Sequence, residues 1–129
     1  MFRRLRRVCL ALPEATETAS WGHPNFRAGK RTFCAFELFG GRPSIALRVS
    51  AAEAKQLGRR RHFFLTPYGR GVWVSRWLDV DANPGSLAAL IDRSYRQVAP
   101  RNLVRLLDSQ AATASGRTRT PLRTTRRLR

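Results

Sequence analysis

Arg27, Lys30 and Arg31 surround Gly29 in "FRAGKR", and Arg42 follows two glycines in "FGGRP". Arg70 stands between Gly69 and Gly71 inside "FFLTPYGRGVWVSRWLDVD", which also carries Arg76, and Arg59, Arg60 and Arg61 run together ahead of His62. Guanidinium and ammonium groups carried on tight turns suit phosphate, whose oxygens accept charge-assisted hydrogen bonds from a fork of N–H donors. Each cluster also has a plain structural counterpart. Gly29 and the Gly40–Gly41 pair are explained by turn geometry alone. Cations after a helix complement its C-terminal dipole. Arg76, between valine and leucine positions of one strand face, can run its stem to an edge and end in solvent, and Arg over Trp is a common internal pair.

Other chemistries find less support. The two histidines, His23 and His62, lie far apart, and Cys9 and Cys34 fall in no metal-binding spacing. A structural zinc needs roughly four ligands at characteristic separations, so no metal is expected. Ser20, Ser44 and Ser94 sit in no nucleophile elbow, and there is no dinucleotide or P-loop fingerprint. Glu14 and Glu17 in "EATE" read as surface acids. The residues point to a binding protein without a cofactor, not to an enzyme.

The chain holds 23 Arg, 2 Lys and 8 acids, for a net charge of +17 over 129 residues. The first seven residues carry +4 and the last 21 carry +6, so residues 8–108 keep only +7. Charge of this sign draws in polyanions at low salt. The length fits one domain with a real core. No apolar run is long enough to span a membrane. The start "MFRRLRRVCLALP" imitates a leader, but its apolar run is short and no small-residue cleavage word follows; it reads as a first helix. A cytoplasmic protein with two buried free thiols is the expectation.

Hydrophobic periodicity places the elements. Phe2, Leu5, Val8, Cys9 and Leu12 recur at helical spacing up to Pro13. "EATETASWGHPNF" looks irregular or briefly extended. Strands follow over 31–38 and 44–49, joined by the glycine turn. Ser50 and Glu53 form a capping box that opens a short helix through Leu57. A brief strand at 63–65, a loop over 66–71 and a strand over 72–78 come next. A helix over about 87–98 and a short one around 103–107 close the body. From Ser109 the chain has two leucines, no aromatic and a run of like charge, which predicts a disordered basic tail over 109–129. The order implies an α+β domain over 1–108: a largely antiparallel sheet covered on one face by two long helices.

Four words in series, "ALPEATE", "WGHPNFRAGKRTFCAF", "FFLTPYGRGVWVSRWLDVD" and "LIDRSYRQVAPRNLV", resemble the MmcQ/YjbR family of small bacterial proteins. The likeness runs from about Val8 to Leu107. It matches the family at Pro24, Phe26 and Arg27, at Gly29 and Lys30, at Thr66, Pro67 and Tyr68, and at Ala99 and Pro100. The stretch 69–77 departs from the commonest family form, which carries a longer loop. The resemblance implies a double-wing α+β fold and DNA binding, and it brings no catalytic set.

The expected function is therefore nucleic-acid binding, to DNA or RNA, through phosphate contacts from Arg27, Lys30, Arg31, Arg42, Arg59, Arg60, Arg70 and Arg76. A monomer with no membrane partner is expected. The alternative is a protein- or small-molecule-binding domain with an incidental basic tail, its cleft near Trp21, Phe26 and Trp73.

Overall fold

The computed structural model describes residues 2–119 of the chain. Helix α1 (Phe2–Leu10) leads into a meander of β1 (Ala15–Ser20), β2 (His23–Ala28), β3 (Arg31–Phe39) and β4 (Arg42–Arg48). Each connection is a two-residue loop, because Ser20 faces His23, Ala28 faces Arg31 and Phe39 faces Arg42. The loops contain Trp21, Gly22, Gly29, Gly40 and Gly41, all at positive φ, the conformation that matches a hairpin turn to strand twist. Residues 15–28 thus form a regular two-stranded hairpin, more than the irregular or briefly extended piece the sequence suggests. Its first strand, "ATETAS", is exposed along most of its length and shows no apolar alternation, and its turn begins on Trp21 at φ 56°, where glycine or asparagine is the usual signal.

Ser50 opens helix α2 (Ala51–Gly58) as the capping box predicts: its Oγ accepts from the Glu53 N–H at 3.1 Å, and Glu53 Oε1 accepts from the Ser50 N–H at 3.3 Å. Strands β5 (Phe63–Leu65) and β6 (Trp73–Trp77) follow, and β6 inserts between β4 and β5. The sheet order is β1-β2-β3-β4-β6-β5, antiparallel throughout. Helix α3 (Pro84–Val98) starts earlier than its apolar stripe suggests, because Asn83 Oδ1 accepts from the Ser86 N–H at 3.0 Å and Pro84 suits the first turn. Helix α4 (Arg101–Arg119) corrects the expected short closing helix. It continues past Asp108 into the stretch read as a disordered tail, with residues 109–113 exposed. The remainder of that tail, 120–129, lies outside the described residues.

Cys34, Phe36, Ile45, Leu47 and Val74 lie on one face of the sheet and are buried there. Helix α3 packs across β3 and β4 with α1 beside it, while α2 packs on β5 and β6. The simple alternation of β3 is broken at Phe33, where Phe26 faces Cys34 but Arg27 faces Thr32. The extra residue lets Phe33 and Cys34 both reach the helix side. Phe33 meets Tyr95 edge to face at 5.4 Å, and the Tyr95 hydroxyl donates to the Pro13 carbonyl at 2.7 Å. Cys9 and Cys34 are free and buried, their sulfurs 3.8 Å apart. Burial, and then contact with Cys9, pushes the Cys34 thiol well above its usual range. No helix among the described residues is long and apolar enough to cross a membrane.

Candidate functional site

The strand registers sort the basic residues to two ends of the sheet. Arg27 and Arg31 flank the β2–β3 loop that holds Lys30. Arg48 closes β4 opposite Trp73, at that same end, and the loop from β5 to β6 that carries Arg70 returns there as well. A Cβ on Gly29 would lie 3.6 Å from Pro100, so the hairpin tip abuts the corner between α3 and α4, where Arg101 begins the last helix. A shallow groove between tip and corner is lined by Lys30, Arg31 and Gln97. Arg27, Lys30, Arg31, Arg70 and Arg101 are exposed.

Arg70 owes its position to three consecutive left-handed residues, Gly69, Arg70 and Gly71, at φ 84°, 57° and 80°. Gly69 is required for a second reason: a Cβ there would stand 2.2 Å from Trp73 Cδ1. The loop thus lies against the Trp73 ring on the outer face of the sheet, and the arginine projects from its tip.

Arg59, Arg60 and Arg61 fall elsewhere. They leave the end of α2 and precede His62, whose carbonyl accepts from the Trp77 N–H near the opposite end of the sheet. Arg60 also lies 5.8 Å from the Phe63 ring centre. A groove of about 380 Å³ there is lined by Arg60, Arg61, Asn83, Ser86 and Arg93.

Two expected site residues are engaged within the fold. Arg42 donates to both oxygens of Asp79 and lies 4.0 Å from the Trp77 ring centre. Arg76 corrects the expectation of an arginine that snorkels into solvent. It is only 8 % exposed. Its guanidinium donates to the carbonyls of Trp77, Val80 (2.9 Å) and Asp81 (2.8 Å), pinning the turn that follows β6. It is a structural cation.

Trp21, Phe26 and Trp73 do not share a cleft. Phe26 is fully buried on the helix side, Trp21 tips the β1–β2 hairpin, and Trp73 lies opposite Arg48 at the other end of the sheet. Sequence reasoning did not select Arg101 or the pairing of Tyr68 with Glu37, in which the phenol donates to the carboxylate at 2.5 Å. Arg101 had a signal in the "APR" corner word. Glu37 had a weaker one, as an acid set within an otherwise apolar strand.

Among the described residues no group of three or more His, Cys, Asp or Glu side chains is placed to hold a metal ion. No curated protein matches the chain. Solved structures do. A Deinococcus radiodurans protein with a DUF419 domain aligns at TM-score 0.66 and 20 % identity, over 79 % of this chain and 80 % of that one. A Pseudomonas syringae protein aligns at TM-score 0.58 and 13 % identity, over 73 % of this chain and 97 % of that one. At such identities these likenesses speak for the fold. The YjbR family model matches residues 10–97, and with the sheet order and helix placement described above, the chain belongs to the YjbR family.

Proposed function

We propose that the protein binds nucleic acid through the sheet end that carries Arg27, Lys30, Arg31 and Arg70, with Arg48 and Arg101 beside them. The observation that supports this reading is how the acids are used. Glu17, Glu53, Asp79, Asp92 and Asp108 pair with Arg6, Arg93, Arg42 and Arg96. Among the described residues none of the cations at the β2–β3 end has an acid within salt-bridge distance. Glu14, just before β1, is the acid of that end. Unneutralised cations on protruding turns act as wings against a phosphate backbone, fixing position without reading sequence. Duplex DNA is the partner with the densest phosphate charge, and the binding is governed by counterion release.

A salt series with the full chain tests the reading. Changing Arg27, Lys30, Arg31 and Arg70 together to Gln should lower the slope of log K against log salt by about 0.9 for each lost phosphate contact. A second variant changes Arg123, Arg126, Arg127 and Arg129 to Gln and controls for charge at the chain end. Loss of all affinity in that control, with an unaltered slope in the first variant, would assign binding to the end of the chain and reject the sheet end.

A further inference from the structure

Glu37 has one satisfied oxygen and one orphan. Oε2 accepts from the Tyr68 hydroxyl, whereas Oε1 is buried with no hydrogen-bond partner. An unsatisfied buried acceptor is costly, more so when charged, and native proteins keep few of them without a reason. The Tyr68 phenol is raised well above its usual range, by burial first and then by Glu37, so it remains a donor at any physiological pH. That fixed bond occupies Oε2 and leaves Oε1 for something else.

What surrounds the carboxylate is aromatic. Glu37 lines a cleft of about 440 Å³ with Trp21, His23, Asn25, Phe39 and Tyr68, on the face of the sheet away from α1 and α3. Among the described residues no arginine or lysine lines it. Trp21 is 95 % exposed, so its ring packs on almost nothing at the mouth. Aromatic faces around a carboxylate attract an organic cation through the ring quadrupoles and the charge together.

A second cavity, of about 470 Å³, adjoins the first at His23, Glu37 and Leu38. The second lies on the α1 side of the sheet, and the two meet where the β2–β3 pairing has ended: it stops at Asn25 and Ala35, short of His23 and Glu37. Phe2, Pro24, Phe36, Pro43 and Leu78 make this second cavity apolar, and Leu38 is half exposed beside it. One side offers a carboxylate among aromatic rings, and the other offers room for a hydrocarbon chain.

We infer that the two cavities form one binding site for an amphipathic organic cation, an ammonium or guanidinium head on an apolar stem, with Glu37 Oε1 accepting from the head. The site lies at the opposite end of the sheet from Arg27, Lys30 and Arg31; only its Tyr68 comes from the loop that carries Arg70, and the inference does not rest on the nucleic-acid reading. The head comes from a free amine or from a lysine or arginine side chain of a partner; both present the same chemistry.

Calorimetric titration of the full chain with n-hexylamine, n-hexanol, tetramethylammonium and a lysine peptide acetylated only at its N-terminus, its side-chain ammonium free, tests the site, with indole N–H NMR shifts reporting Trp21. Hexylamine should bind saturably and more tightly than either hexanol, which lacks the charge, or tetramethylammonium, which lacks the stem and any N–H. Glu37→Gln should weaken hexylamine by about tenfold, the worth of one charge-assisted hydrogen bond. Trp21→Asn keeps a residue suited to the positive-φ turn and should weaken it by about threefold or more. Tighter binding of the peptide than of hexylamine identifies a protein as the source of the cation, and the reverse identifies a free amine. Equal binding of hexanol and hexylamine, unchanged affinity in folded Glu37→Gln, or no saturable binding of any cation overturns the inference.

Discussion

Arg42 donates from Nε to Asp79 Oδ2 at 2.8 Å and from Nη2 to Asp79 Oδ1 at 2.9 Å, joining the start of β4 to the segment that leaves β6. Trp77 lies beneath the guanidinium and meets Phe39 and Phe64 on the same outer face of the sheet. The fork clasps the two chain segments just past their last backbone bond, from the Leu78 N–H to the Pro43 carbonyl at 2.9 Å.

The Asp79 carboxyl is held below its usual range, chiefly by the hydrogen bond from Arg42. A carboxyl whose pKa is lower in the folded state stabilises the fold above its unfolded-state value, and the contribution disappears as pH falls through its folded-state value. Asp79→Asn should therefore lower the melting temperature at neutral pH and match the parent in strong acid. Melting curves across that range check it. A gap of constant size down to the lowest pH would show that charge is not what the fork contributes.

Arg76→Met keeps an apolar stem near Phe63 but removes the donors to Val80 and Asp81. Part-buried carbonyls left without these donors, together with the lost bonds, should cost about 1–3 kcal/mol in total. Chemical denaturation measures this. The salt slope for DNA should stay at the parent value, since this guanidinium faces inward. A stable variant with a flattened slope would return Arg76 to the interface.

Gly69→Ala and Gly71→Ala separate two effects at one loop. Both glycines sit near φ +80°, so either substitution should cost about 1–2 kcal/mol in backbone conformation. Only at Gly69 would the new Cβ strike Trp73, while at Gly71 nothing lies within 4 Å. Overpacking should add about 1–3 kcal/mol to Gly69→Ala. Equal losses in the two variants would mean that the loop moves away from Trp73 freely.

The strands with apolar faces were readable because their side chains alternate: Ile45, Leu47 and Val49 are buried on one side, as are Val74 and Arg76. Ser50 with Glu53 announced α2 in the same way. The β1–β2 hairpin was not readable, since β1 buries too little to impose alternation and its turn uses a tryptophan. The far half of α4 was hidden because "SQAATASGRTR" combines alanines that favour helix with no apolar stripe for a core. Of the candidate site, the β2–β3 turn could be located from Gly29. The fate of Arg42 and Arg76 could not, because their partners Asp79, Val80 and Asp81 meet them through the β4–β6 pairing and the turn after it.

The three two-residue loops of the meander have a consequence for how the chain reaches this state. Closing so short a loop sacrifices little chain entropy, so β1 to β4 can zip from neighbour to neighbour. The partnership of Arg48 with Trp73 is different: it must close across all of α2 and β5. Non-local pairing of that kind is what slows folding at a given stability. The arrival of β6 beside β4 is thus the expected slow step, and it is the step that buries Arg76 and brings Asp79 within reach of Arg42.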